Sequence, residues 1–484
     1  MTRAPSADPE RVHPVDQRLP VGRLFAFGLQ HVLIMYAGSV TVPLVFGSAV
    51  GLERDTVAML ICASLLVAGI ITVIQSLGLG KLAGARLPIV CGSTFVALTP
   101  MILIAQQYGL QAVYGSMLVG GLVGIALAWP FARIVRFFPP LVIGSVLTVV
   151  GISLIGVSGG LIMGNDPTAA DHGDPLRIGL AAAVVVVALA FMCLGRGVWS
   201  QLAVLIALAA GTVVAIPLGM VGLGGVSSAA WAGFPTPFHF GAPEFPITAV
   251  VAMSIVMAVV LAETTASMLA VSEITGRRLS RGDIARGLAG DGLSGVLGGV
   301  FNASVDTVFN QNVGAVATTR VYSRYVTAVS GGILILFGAI PKVGAVIAAV
   351  PGPVVGGVGL ILFSTIAVVG INTLRRAGLD DRINATIAAT AVGIGLLPEL
   401  AEGLFEHFPS TAQIVLGSGI ALAAMVSFGL NLLFNHSPLG EFARRGTDDE
   451  PDRGHLSEPD SGTSVPAEDG SRVARSHNSR SAVR

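Results

Sequence analysis

The chain is 484 residues long, 53% apolar and only 12% charged, with a mean hydropathy of +0.80 and a formal net charge of zero. That balance excludes a water-soluble domain of this size, and with no soluble basic face it also excludes a nucleic-acid partner. It is the composition of an all-α polytopic membrane protein, whose helices each need roughly 20 residues to cross a bilayer core about 30 Å thick.

In chain order, residues 1–23 read as a cytoplasmic tail. Pro5, Pro9 and Pro14 and the absence of an apolar run exclude a cleavable signal peptide, so the first span serves for targeting. Apolar runs then predict about fourteen crossings, near 24–47, 55–78, 88–105, 112–131, 138–160, 177–195, 199–219, 248–274, 284–300, 310–321, 322–340, 346–371, 383–397 and 411–434, with an external loop at 220–247. The third, ninth, tenth and thirteenth are short. Residues 435–484 turn to Ser, Asp, Glu, Arg, Pro and Gly and cannot bury enough surface to offset ordering entropy, which predicts a disordered cytoplasmic tail.

Charge tests this topology independently. With the N-terminus inside, the inner loops hold Lys81, Arg86, Arg133, Arg136, Arg196, Arg277, Arg278, Arg281, Arg286, Arg320, Arg324, Arg375, Arg376 and Arg382, against Arg54, Arg177 and Lys342 outside. The bias predicts both termini in the cytoplasm and an even number of spans.

Two of the short spans share a design. LPIVCGSTFVALTP, in the third, and ASVDTVFNQNVGAVATT, in the tenth, each read as a short extended segment followed by a half helix. Irregular backbone at membrane depth needs protein or a water-lined cavity to satisfy it. Such breaks in the third element of each half predict a 7+7 inverted repeat, 24–219 and 248–434, with a solute held between two half-helix N-termini, as in a secondary transporter.

The amides Asn310, Gln311 and Asn312 open the second half helix. They either cap it and tie it to a neighbour, or meet a planar polar ligand; Gln311 can donate and accept along one edge, as a base-pairing partner would. Glu263, deep in AVVLAETTASMLAV, costs at least ~2.5 kcal/mol as an unpaired charge, so it is read as a functional carboxyl that can carry a proton or accept a ring N–H. Asp291, in AGDGLSG, is either a helix N-cap or part of the site. His31, in LQHVLIMY, is read as a proton-linked partner or an ordinary interhelical bond rather than a ligand.

The run Gln311-Asn312-x-Gly314-x-x-x-x-Thr319-Arg320 resembles the signature of the nucleobase/ascorbate transporter family, also called nucleobase:cation symporter-2. The resemblance extends to Gln30-His31, to Gly92-Ser93-Thr94-Phe95, to Glu263-Thr264 and to Gly290-Asp291-Gly292, and covers residues 24–434. It implies fourteen spans, with 1–4 and 8–11 forming a substrate-carrying core and 5–7 and 12–14 a gate through which the family dimerises. It also implies roles. Glu263 would bind the base and couple protons, Gln311 would bind the opposite edge, Phe95 would supply its N–H and ring, and Thr94 and the backbone of Asn310 would complete the pocket. Asp291 and His31 would form the supporting polar network, and Asn312 would brace the half helix. Gln at 311 is similar to the xanthine and urate carriers, where uracil carriers have Glu. Ser267 departs from the Asp of xanthine carriers and the His of uracil carriers. The expectation is a proton-coupled importer of an oxidised purine in the inner membrane.

Competing classes lack their motifs. There is no G-x-x-x-x-G-K-[ST] run for ATP, and Asp380-Asp381, followed by Arg382, is no magnesium motif for prenyl transfer. A sulfate- or bicarbonate-type anion exchanger would share the architecture, but Glu263 would repel its cargo and neither Gln311 nor Thr94 is a cation. Cys62, Cys91 and Cys193 are read as packing residues, with no disulfide, metal site or cofactor expected. The GxxxG spacings at Gly120–Gly124 and Gly352–Gly356 fit either a homodimer contact or close packing within the chain.

Overall fold

The computed structural model describes residues 12–438 apart from 135–139, 165–167, 170, 223, 402 and 406. Residues 1–11, Arg136 and the tail beyond 438 lie outside the described residues.

Helices α1 (Val21–Val50) and α2 (Arg54–Leu77) are followed by a short strand β1 (Cys91–Ser93) and the half helix α3 (Leu98–Tyr108). Then come α4 (Leu110–Ile134), α5 (Pro140–Met163), α6 (Pro175–Leu194), the turn α7 (Val198–Gln201), α8 (Ala203–Ala215) and the loop helix α9 (Gly224–Ser228). The second half runs through α10 (Ile247–Thr275), α11 (Arg281–Phe301), β2 (Asp306–Val308), α12 (Asn310–Thr319), α13 (Arg324–Gly338), α14 (Pro341–Ala348), α15 (Gly352–Arg375), α16 (Arg382–Leu400), α17 (Ser410–Gly417) and α18 (Gly419–Asn435).

Among the described residues, eight helices are long and apolar enough to cross a membrane, or nine if α13 and α14, bent by 80° across a short break, count together. The chain is therefore a multi-pass helical membrane protein. Several predicted boundaries shift. The run at 346–371 is not one helix: Pro351, which disfavours helical backbone at the residue before it, ends the α14 segment, and α15 begins at Gly352. The runs at 199–219 and 411–434 are each broken, at Leu202 and Ser418. Within the N-terminal segment, Val15 is buried, and Asp16 accepts from Arg277 Nη1 at 2.9 Å and Arg324 Nε at 2.7 Å, pinning residues 12–18 between the end of α10 and the start of α13.

The helices pack in two groups. In one, α4 lies along α11 and α10, and α2 and α1 along α13; in the other, α5 lies along α15 and α18, α6 along α8, and α16 along α18. Glycines allow the closest approaches. A Cβ at Gly121 would stand 2.4 Å from Val296 N, and one at Gly69 would stand 2.6 Å from the Gly331 carbonyl. The two GxxxG spacings serve this same purpose within the chain: Gly120 and Gly124 face Met253 and Met257 of α10, and Gly352 and Gly356 face Leu161, Ser158 and Ile162 of α5. Of the three cysteines, Cys62 and Cys91 are buried as expected, but Cys193 is exposed on α6 and is not a packing residue.

β1 and β2 pair antiparallel, with Cys91 opposite Val308, Gly92 opposite Thr307 and Ser93 opposite Asp306. Because the strands run in opposite directions, α3 and α12 leave the pair from opposite ends and their N-termini flank it.

Candidate functional site

A cavity of about 240 Å³ lies at the strand pair, lined by Thr94, Phe95, Glu263, Asn310 and Gln311 on one side and by α5 and α15 on the other. The structure thus brings together the five residues expected to bind substrate. α15 and α5 add an apolar wall that the sequence did not single out, including Leu147, Val150 and Ile366.

Glu263 Oε2 is buried with no hydrogen-bond partner among the described residues. The Gln311 side chain has none either, and it is exposed to the cavity. A carboxyl and a primary amide, both free to bond a guest, therefore line one pocket. The N-cap of α12 is Phe309 and carries no side-chain cap. The amides therefore do not cap the helix, but two of them do tie it to neighbours. Asn310 Oδ1 instead accepts from Ser267 Oγ at 2.9 Å, while Asn312 Nδ2 donates to His31 Nδ1 at 3.0 Å and to the His31 carbonyl at 2.9 Å. The α12 backbone begins its bonds at Asn312 and Val313, both to Phe309 O, leaving the N–H groups of Asn310 and Gln311 free as at any helix start.

On the opposite side, Thr94 donates its N–H to Val305 O at 2.9 Å and its Oγ1 accepts from Val96 N at 3.2 Å, so its hydroxyl shapes the turn into α3. The Phe95 N–H has no acceptor among the described residues, and its ring meets Phe363 of α15 edge-on at 5.2 Å. Phe309 fills the space left by two glycines: a Cβ at Gly38 would stand 2.7 Å from its Cζ, and one at Gly92 would stand 3.1 Å from its Cδ2.

Asp291 is not an N-cap. The cap of α11 is Ser280, in a reciprocal capping box with Asp283, and Asp291 lies almost three turns inside the helix, fully buried. It accepts from Gln75 Nε2 at 3.3 Å, and the same Gln75 amide is fixed by Gly287 O and by the Ala85 N–H. Thr264, next to Glu263, joins Thr307 of β2 at 3.1 Å. Gln75, Thr307 and Asp306 escaped the sequence reading, and Ser267 figured there only as a departure from the family pattern. A buried amide in the span of Gln75 and a carboxylate in the extended run of Asp306 were the only signals there.

No Lys or Arg lines the cavity. Along α12, Asn310, Gln311, Gly314, Ala317 and Thr318 are exposed at helical spacing, whereas the first two turns of α3 bury Leu98, Pro100, Met101, Ile104 and Ala105.

Comparisons with known proteins identify the chain's family. The Permease family matches residues 22–401. The chain is 39% identical over 424 residues to the uric acid transporter UacT of Escherichia coli (strain K12), covering 87% of this chain and 88% of that protein. It is 36% identical over 414 residues to the xanthine permease of Bacillus subtilis (strain 168), covering 86% and 94%. Among solved structures, the transmembrane domain of the cyanobacterium bicarbonate transporter BicA aligns with a TM-score of 0.57 at 16% identity, covering 86% of this chain and 99% of that one, a likeness of fold alone. With its signature at Gln311–Arg320 intact and its relatives permeases rather than enzymes, the chain belongs to the nucleobase/ascorbate transporter family of permeases.

Proposed function

We propose that this protein is a secondary active transporter that imports an oxidised purine nucleobase, xanthine or urate, together with protons by alternating access. The observation that carries the reading is the pairing of two unpartnered groups, the Glu263 carboxyl and the Gln311 amide, on one cavity of about 240 Å³ beside the Phe95 ring. That is room for a flat bicyclic base, with donors and acceptors for its carbonyl and ring N–H edges. The relatives named for uric acid and xanthine support the purine choice, as does Gln at 311.

In this reading Glu263 binds the base and carries the coupling proton, Gln311 holds the opposite edge, and Thr94, Phe95 and Asn310 complete the site. Asp291, His31 and Asn312 form its supporting network. About fourteen crossings form two inverted repeats. The packing supports this: α4 on α11 has its counterpart in α13 on α2, α6 on α8 in α16 on α18, and β1–α3 in β2–α12. The first helix group is then the core and the second the gate, through which two copies dimerise. The basic loops favour both termini on the cytoplasmic side of the inner membrane.

A uracil or other nucleobase carrier of the same family is the nearest alternative. An anion exchanger is disfavoured by Glu263 and by the lack of a cation in the cavity. Uptake of radiolabelled xanthine and urate by cells lacking their own carriers, with and without a protonophore, tests the proposal. Accumulation that ignores the protonophore removes the proton coupling, and sulfate or uracil uptake without purine competition removes the purine reading.

A further inference from the structure

The strand pair buries a carboxylate that the substrate cavity does not use. Asp306 is 0% exposed, and neither of its oxygens has a hydrogen-bond partner among the described residues. Its register partner is Ser93. The Thr94 N–H bonds Val305 O and the Phe309 N–H bonds Val90 O, which makes the pairs at 94/305 and 90/309 the hydrogen-bonded ones. Ser93 and Asp306 thus form one of the alternate, closer pairs, with side chains on the same face. Ser93 Oγ is also 0% exposed and unpartnered. A hydroxyl and a carboxylate therefore stand side by side without bonding each other.

A second carboxylate lies behind them. Ser294 Oγ accepts the Asp306 N–H at 3.0 Å and donates to Asp291 O at 2.7 Å, which sets Asp306 against the α11 turn that carries Asp291. No buried Lys or Arg offsets this charge among the described residues. Protonating Asp306 would remove the charge but leave an O–H in need of an acceptor. A small hard cation meets both demands. It binds carboxylate and hydroxyl oxygens at roughly 2.3–2.6 Å, and so holds two oxygens farther apart than they stand when hydrogen-bonded. One free carboxylate with neutral oxygens suits a single positive charge, and among the described residues no group of three or more acidic, His or Cys side chains is placed to hold a metal.

We propose that Asp306 and Ser93, with Asp291 behind them, form a binding site for a sodium-sized monovalent cation beneath the substrate cavity. Thr307, the next residue, lines that cavity and bonds Thr264, so an ion at Asp306 fixes the strand from which α12 and Gln311 start. This coupling rests on the cavity being the substrate site; the ion site does not.

The test is the thermal unfolding midpoint of the full purified chain in NaCl and in choline chloride at equal ionic strength. The wild type is expected to gain a saturable, sodium-specific rise, and Asp306→Asn to lose it or to need at least tenfold more sodium. Ser93→Ala, which removes one oxygen and no charge, is expected to shift the sodium requirement upward, and it carries the test should Asp306→Asn not fold. Equal wild-type midpoints in the two salts, or a sodium effect unchanged in the variants, overturns the proposal. Stabilisation by xanthine or urate in choline chloride reports on the substrate cavity separately, so failure of one site is told from failure of the other.

Discussion

The side-chain amide of Asn312 donates to two acceptors on one residue, the ring Nδ1 and the carbonyl of His31, and so ties the half helix α12 to α1 inside the membrane. Both residues are buried, so neither acceptor has water as a substitute. Asn312→Ala is expected to cost about 1–3 kcal/mol, as for a buried group left without its partner, and to weaken substrate binding because α12 carries Gln311. Thermal unfolding and ligand titration of the purified variant check this; a variant as stable as the wild type shows the bond to be dispensable.

Glu263 and Gln311 are expected to fail in different ways. Glu263→Gln keeps the shape but removes the titratable group, and it is expected to abolish proton-driven accumulation even where binding survives. Should that variant still concentrate substrate in a proton-dependent way, the coupling carboxyl is another, with Asp291 the next to substitute.

Gln311→Glu takes away the amide donor that the proposed function places against a purine carbonyl, and adds a negative charge. Oxopurine affinity is expected to fall several-fold or more, in line with about 1–3 kcal/mol for a lost buried bond. Competition by xanthine, urate and uracil for uptake reads the result, and undiminished xanthine affinity excludes a direct contact at this position.

Phe309 is seated on Gly38, where an added Cβ would come within 2.7 Å of its ring. Gly38→Ala is expected to displace the ring and, through it, the first turn of α12, lowering transport. The same change in a Phe309→Leu background is expected to do less harm, since the smaller side chain leaves room. Equal losses in both backgrounds show the two positions to be uncoupled.

Asp16 joins Arg277 and Arg324, which follow α10 and begin α13. All three side chains are partly solvated, so Asp16→Ala is expected to cost only on the order of 1 kcal/mol, and less at high salt. Unfolding midpoints at low and high ionic strength check both the size and the salt dependence.

Residue chemistry alone determined the membrane class, the two interrupted spans, the carboxyl of Glu263 and the amides at 310–312, because these depend on local properties, whereas Thr94 and Phe95 came from the family resemblance. An apolar run of given length, a β-prone stretch before a helix and a carboxylate in a hydrophobic helix each carry their meaning in a few neighbouring residues. What only the tertiary structure decided is which groups are already satisfied. Asp291 stands in a short glycine-rich run that reads equally as a cap, and only the capping box at Ser280 and the Gln75 amide, contributed by a helix far away in sequence, remove that reading. The amides at 310–312 look alike in sequence, yet packing gives Asn312 to His31 and Asn310 to Ser267 and leaves Gln311 free. Asp306 gave no distinct signal, since its orphaned state depends on a strand register between residues more than 200 positions apart. Hydrogen-bond satisfaction is a property of pairs, and for Asp291, Asn312 and Asp306 the facing residues come from the opposite half of the chain.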